Sequence, residues 1–143
     1  MIGRAAALVL GAALLAGCGT VQTPAQALRG WVRDSGFAGA VTTLRTDARD
    51  VANVLREPNP AAGRLRLVCA VLLVDAQTAN ASLPTTDDQV SHLLATAYGD
   101  LGAAAHLGYG ARGSVERTRA LRELERGVAT MAEAQAAVAA VVG

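Results

Sequence analysis

The chain has 143 residues, of which 52% are apolar, 3% aromatic and 17% charged, a balance that excludes disorder and collagen and fits one small globular domain. Its 13 basic residues are all arginine and face 12 acids, so a net charge of +1 makes no electrostatic case for nucleic acid.

The first residues read as an address. Arg4 supplies a positive start, and Ala5 to Leu15 form an apolar run. That run is too short to span a bilayer, which takes about 20 apolar residues. It leads into Leu15-Ala16-Gly17-Cys18. This tetrapeptide, in this position, resembles the lipobox of bacterial lipoproteins. The resemblance covers residues 1–18. It implies that residues 1–17 are a signal peptide removed on export, and that the Cys18 thiol carries a diacylglycerol through a thioether, with or without an N-acyl chain. Only a thiol can form that link, and the small Ala16 and Gly17 let a peptidase close on the backbone. Two acyl chains anchor a protein stably where one does so marginally. The expected location is the extracytoplasmic face of a bacterial membrane, with residues 18–22 as lipidated cysteine and tether and 23–143 as the domain.

Removal of residues 1–17 takes Arg4 with it and leaves arginines and acids equal in number. With Cys18 lipidated, Cys69 is the only other cysteine and has no disulfide partner within the chain. A domain of this length can stand on its core alone, since it buries roughly two-thirds of its unfolded surface.

The predicted elements follow in order. Thr23, Pro24 and Gln26 form a capping box with proline at the first helical position, opening a short helix with Leu28, Trp31 and Val32 on one face. Asp34, Ser35 and Gly36 either break that helix or start the next. Phe37, Val41, Leu44, Ala48, Val51 and Leu55 recur at spacings of four and three, one face of a long helix. Pro58 and Pro60 must end it, with Asn59 expected to cap its successor and Pro60 to sit in the first turn. The following segment, with Leu65, Leu67, Val68, Cys69, Val71, Leu72, Leu73 and Val74, is apolar nearly all round and is expected to be the most buried element. Leu83-Pro84 closes it. Thr86 with Gln89 reads as another capping box, with Asp87 and Asp88 in the first turn. Val90, Leu94, Ala97, Leu101 and Ala104 mark the next helix, which the glycines between Gly108 and Gly113 are expected to end. Ser114 is expected to cap the last, along which Leu121, Leu124, Val128, Met131, Gln135, Val138 and Val142 run with one polar interruption. These elements predict an all-α chain: an antiparallel up-down four-helix bundle preceded by a short N-terminal helix.

Few residues carry chemistry. His92 and His106 lie on one helix about 21 Å apart, too far to share a metal, and neither follows a glutamate by three positions. Gly108, Gly110 and Gly113 imitate a dinucleotide fingerprint but follow a helix, not a strand. Cys69 in apolar surroundings reads as a small hydrophobe. Asp75 either contacts a ligand or an arginine inside the bundle, or sits one residue off the core and reaches water. Trp31 either meets the membrane interface or staples the short helix to the bundle.

Charge along the axis is the most informative pattern. No arginine occurs between Leu67 and Ala111, where Asp75, Asp87, Asp88 and Asp100 are found. Alternating helices bring the turns after Arg56 and after Tyr109 to one end, collecting Arg56, Arg64, Arg66, Arg112, Arg117 and Arg119 with Tyr109. Arginine forks hold phosphate and carboxylate bidentately, so Arg56, Arg64, Arg66, Tyr109, Arg112 and Arg117 are candidate anion- or partner-binding residues. The same arginines also suit salt-bridged helix faces, such as Arg119 with Glu123 and Glu123 with Arg126. The expected function is a non-enzymatic, lipid-anchored binding or scaffolding protein of the cell envelope, with a protein or anionic polymer as partner. The alternative is a carrier holding a small ligand in a cavity of the bundle. No catalytic constellation, cofactor or metal set is expected.

Overall fold

The computed structural model describes residues 21–143; the expected signal peptide, Cys18 and the first part of the expected tether lie outside the described residues. Five helices fill the described chain: α1 (Pro24–Asp34), α2 (Phe37–Arg56), α3 (Ala62–Asn80), α4 (Asp88–Gly110) and α5 (Ser114–Val142). No strand occurs among the described residues. From α2 onward each helix packs on the next, α2 also packs on α5, and α1 lies against α5 and α2.

The short helix forms as its capping signals require. Thr23 Oγ1 accepts from the Gln26 amide at 3.2 Å, and the Thr23 amide donates to Gln26 Oε1 at 2.9 Å. Gly36 then adopts φ 67°, a left-handed joint that a side chain would strain, and α2 starts at Phe37. Trp31 staples α1 to its surroundings: its indole donates to the Ser82 carbonyl at 3.1 Å, and its ring lies 5.5 Å from that of Phe37. Arg29 reaches the Val142 carbonyl at 3.0 Å. The N-terminal helix, the α3–α4 connection and the end of α5 therefore meet at one end of the molecule.

The core follows the predicted stripes on α2 and α4. Phe37, Val41, Leu44, Ala48, Val51 and Leu55 are buried on α2, and Val90, Leu94, Ala97, Leu101 and Ala104 on α4, joined there by Tyr98. Leu28, Val54, Leu72 and Met131 are likewise fully buried, each worth about 2–3 kcal/mol in transferred apolar area. On α5 the buried line is Ala120, Leu124, Gly127, Met131, Ala134 and Val138. Leu121, Val128 and Gln135 are only half-buried beside it. The polar interruption thus disappears, because Gln135 leaves the core and bonds Arg45 of α2.

Five expectations are corrected. α3 is not the most buried helix: only Leu65, Cys69, Leu72, Ala76 and Ala79 are buried, while Leu67, Val71 and Val74 are exposed. Its neighbours α2 and α4 cover two flanks and leave the outer face bare. Asn59 does not cap α3 and Pro60 is not in its first turn; the helix begins after Ala61, whose backbone is extended and whose side chain offers no cap. Thr86 does not cap α4. The Asp87 carboxylate does, accepting from the Val90 amide at 2.9 Å, while buried Thr85 accepts from the Asp87 amide at 2.9 Å. Ser114 does not cap α5, because Glu116 reaches back and accepts from the amides of Gly113 and Arg112. Finally, Gly108 and Gly110 belong to the last turn of α4. Gly108 is required there: a Cβ would stand 2.7 Å from Cys69 Sγ.

Candidate functional site

The connections 57–61 and 111–113 lie side by side, since Arg117 Nη2 donates to the Pro58 carbonyl at 3.2 Å. Between them opens a concavity of about 440 Å³. Pro60 and Leu65 line it together with Arg66, Tyr109, Arg112 and Arg117, and no acidic residue is among its lining residues. The guanidinium of Arg66 lies 6.0 Å from the centre of the Tyr109 ring, at the outer limit of a cation–π contact. Tyr109 is 52% exposed, so its hydroxyl remains available to a ligand.

Two candidates are drawn elsewhere. Arg64 pairs with Glu57 at 2.6 Å, and Arg56 turns towards α5, where it meets Glu125 at 3.4 Å. Spacing along the chain places all six residues at one end, but it cannot show which arginines a neighbouring glutamate has already engaged. Arg119 makes no ion pair among the described residues, and the partner expected for it, Glu123, pairs instead with Arg126 at 3.0 Å.

The chain matches no protein-family model, and no curated protein or solved structure is significantly similar to it.

The electrostatics of the concavity come from fixed charge. Glu116 is the nearest acid in sequence, and the amides of Arg112 and Gly113 hold its carboxyl below the usual carboxylate range. Its charge also acts on the Arg112 guanidinium, so this carboxylate borders the concavity on the Arg112 side while its oxygen caps the start of α5. Three guanidinium groups, Arg117 with one donor already given to the Pro58 carbonyl, can grip phosphate or carboxylate oxygens in pairs, while the ring of Tyr109 gives a flat wall. The opposite end of the molecule carries Asp34, held below its ordinary range by a hydrogen bond and charge from Arg33 at 2.8 Å, together with Asp87 and Asp88.

The other residues singled out from sequence are placed plainly. Cys69 is buried and free, and burial pushes its thiol up to about 11, so it packs as a hydrophobe and stays protonated. His92 and His106 are exposed on α4. No three His, Cys, Asp or Glu side chains among the described residues are placed to hold a metal ion together. Asp75 neither pairs with an arginine nor stands free in water. It is half-buried against Asp47 of α2, whose carboxyl is pushed up to about 6 by burial first, then by the neighbouring carboxyls of Asp75 and Asp50. Sequence reasoning missed this pair, although its signal was present: Asp47 and Asp75 lie equally far from Ala61 in opposite directions.

Proposed function

We propose that the protein is a non-enzymatic, lipid-anchored binding protein of the bacterial cell envelope whose arginine-rich end holds the anionic groups of an envelope polymer or partner protein. The observation that carries this reading is the convergence of Arg66, Arg112, Arg117 and Tyr109 on one concavity lined by no acid.

In this reading α2 to α5 run alternately up and down as a four-helix bundle, with α1 laid across the end that carries the chain's entry. Four contacts along α3, α4 and α5 support the alternation. Gly127 packs on Leu101, Gly102 on Leu73, and Gly108 on Cys69 and beside Ala120. Residue numbers rise along one helix of each pair as they fall along the other. The N-terminus then leaves the domain at the end opposite the arginines. A lipidated Cys18 on a short tether would hold that end within roughly 15–20 Å of the membrane. The 23-residue α4 would carry the arginines about 35 Å further out. No helix among the described residues is long and apolar enough to cross a membrane, so attachment in this reading falls to Cys18.

The test is binding of linear polyphosphate and of poly-glutamate, two polyanions of different head chemistry, at low and high salt. The full chain should bind with an affinity that falls as salt rises. The triple variant Arg66→Gln, Arg112→Gln, Arg117→Gln should bind at least tenfold more weakly while keeping its helical circular dichroism. Equal binding by the folded variant would remove the arginine-rich end as the site.

A further inference from the structure

The surface of α3 departs most from that of an isolated domain. Leu67, Val71 and Val74 are 65%, 43% and 58% exposed. Their spacing of four and three aligns them on one outer line, with Ala70 between them. The line is about 10 Å long. Asp75 borders it on the side facing α2, and Asp47 and Asp50 of α2 continue that acidic edge. Monomeric proteins seldom expose apolar rows of this kind without a partner.

A matching groove lies on the other side of α2. Between α2 and α5 an open channel of about 500 Å³ is floored by Ala48, Ala52, Leu124 and Val128. Arg45, Arg49 and Arg56 stand along its α2 wall. Arg56 is engaged by Glu125, and Arg45 bonds only the neutral amide of Gln135. Arg49 has no ion pair among the described residues. α2 thus presents acids towards the α3 ridge and arginines towards the α5 groove.

The two features also sit at the same height. Asp47 faces Asp75, which puts Leu67 level with residue 55, so the ridge spans the levels of residues 47–55. The groove arginines span 45–56. The Arg45–Gln135 and Arg56–Glu125 contacts put Ala129 of α5 level with Val71 of α3.

We propose that copies of this chain associate side by side, the α3 ridge of one copy seating in the α2–α5 groove of the next, with all bundles pointing the same way. Charge decides the orientation. With the bundles aligned, the acidic edge of the ridge meets the arginine wall of the neighbouring α2. Reversed, it would meet α5, where Glu125 repels it. The contact joins two different faces, so it repeats from copy to copy and closes into a ring or continues as a row. The proposal rests on the up-down order of the helices. It is independent of the anion site, and an aligned row leaves every N-terminus on the same side.

The test is cross-linking of the full chain in mild detergent by a short bismaleimide. The double variant Val71→Cys, Ala129→Cys should give a ladder of dimers, trimers and larger species. Mixing the two single variants should give dimers only, and neither single variant alone should cross-link beyond the unmodified chain. Strong dimers from Val71→Cys alone would show a symmetric α3–α3 contact and overturn the proposal, as would the absence of any ladder. Arg49→Glu should reduce the ladder at least fivefold, and adding Asp50→Arg to the same chain should restore it; failure to restore would contradict the charge match. A link within one chain between Arg45→Cys and Gln135→Cys reports the α2–α5 seam itself. Its loss would indict the helix order, whereas its presence without a ladder would indict self-association alone.

Discussion

The α4–α5 seam and the α2–α5 seam both carry small residues where their helices meet, yet one is closed and the other open. Along α4–α5, Gly127 approaches so closely that a Cβ would stand 3.0 Å from both the backbone nitrogen and Cγ of Leu101. Leu94, Leu101, Ala104 and Met131 are sealed from solvent there. Along α2–α5, Ala48 and Ala52 face Ala129 and Ala132 across a groove that water enters, with three arginines on its edge. Small residues permit helices to approach; they do not compel it. Closure needs large apolar side chains to interdigitate over the gap, and it is opposed where charged groups would lose water.

The largest test of this contrast is Leu101→Ala, which removes the side chain that seals the tight seam. It should cost about 2–5 kcal/mol in urea unfolding, through lost transfer energy and the cavity left behind. A cost under 1 kcal/mol would mean that the seam is as loose as its counterpart. Next, Gly127→Ala should destabilise by about 1–3 kcal/mol even though alanine favours helix, because the crowded neighbour is backbone and cannot swing aside. In the open groove, by contrast, Ala129→Leu should change stability by no more than about 0.5 kcal/mol.

A smaller effect concerns the α2–α3 seam, where Asp47 and Asp75 oppose each other. Asp47 titrates near 6 in the folded chain, above its ordinary value of 3.8, so the folded state binds the proton more tightly than the unfolded state. The resulting stability is fully present below about pH 4 and is lost as pH rises through about 6. Asp47→Asn should therefore raise stability at pH 7 by about 1–2 kcal/mol, a figure discounted for the part of the side chain that faces water. It should also flatten the decline between pH 4 and 7. A variant that follows the same pH curve as the parent chain would show that the Asp47 carboxyl is not raised by burial and its acidic neighbours.

How much of this was legible beforehand depended on where the controlling neighbour lay. The α2 stripe from Phe37 to Leu55 and the Thr23–Gln26 box are local patterns, and both appear as read. Caps expected at Asn59, Thr86 and Ser114 failed where a better acceptor or an extended residue stood close by: Asp87 and Glu116 offer carboxylates, and Ala61 delays α3. The outer face of α3 was misread because its apolar residues carry no record of how many helices surround them. At the arginine-rich end, spacing placed Arg66, Tyr109, Arg112 and Arg117 together. The capture of Arg64 by Glu57 and of Arg56 by Glu125 depended on side-chain reach across turns and helices.

The central claim is that this chain is held to a membrane through Cys18 and binds an anionic partner at its far end. Native mass spectrometry of the chain extracted from its own membranes in mild detergent tests both parts at once. The predicted result is a chain beginning at Cys18, heavier by a thioether-linked diacylglycerol, that retains an anionic partner which the Arg66, Arg112 and Arg117 triple variant loses. An unlipidated chain, or an apolar small molecule retained equally by both proteins, would contradict it.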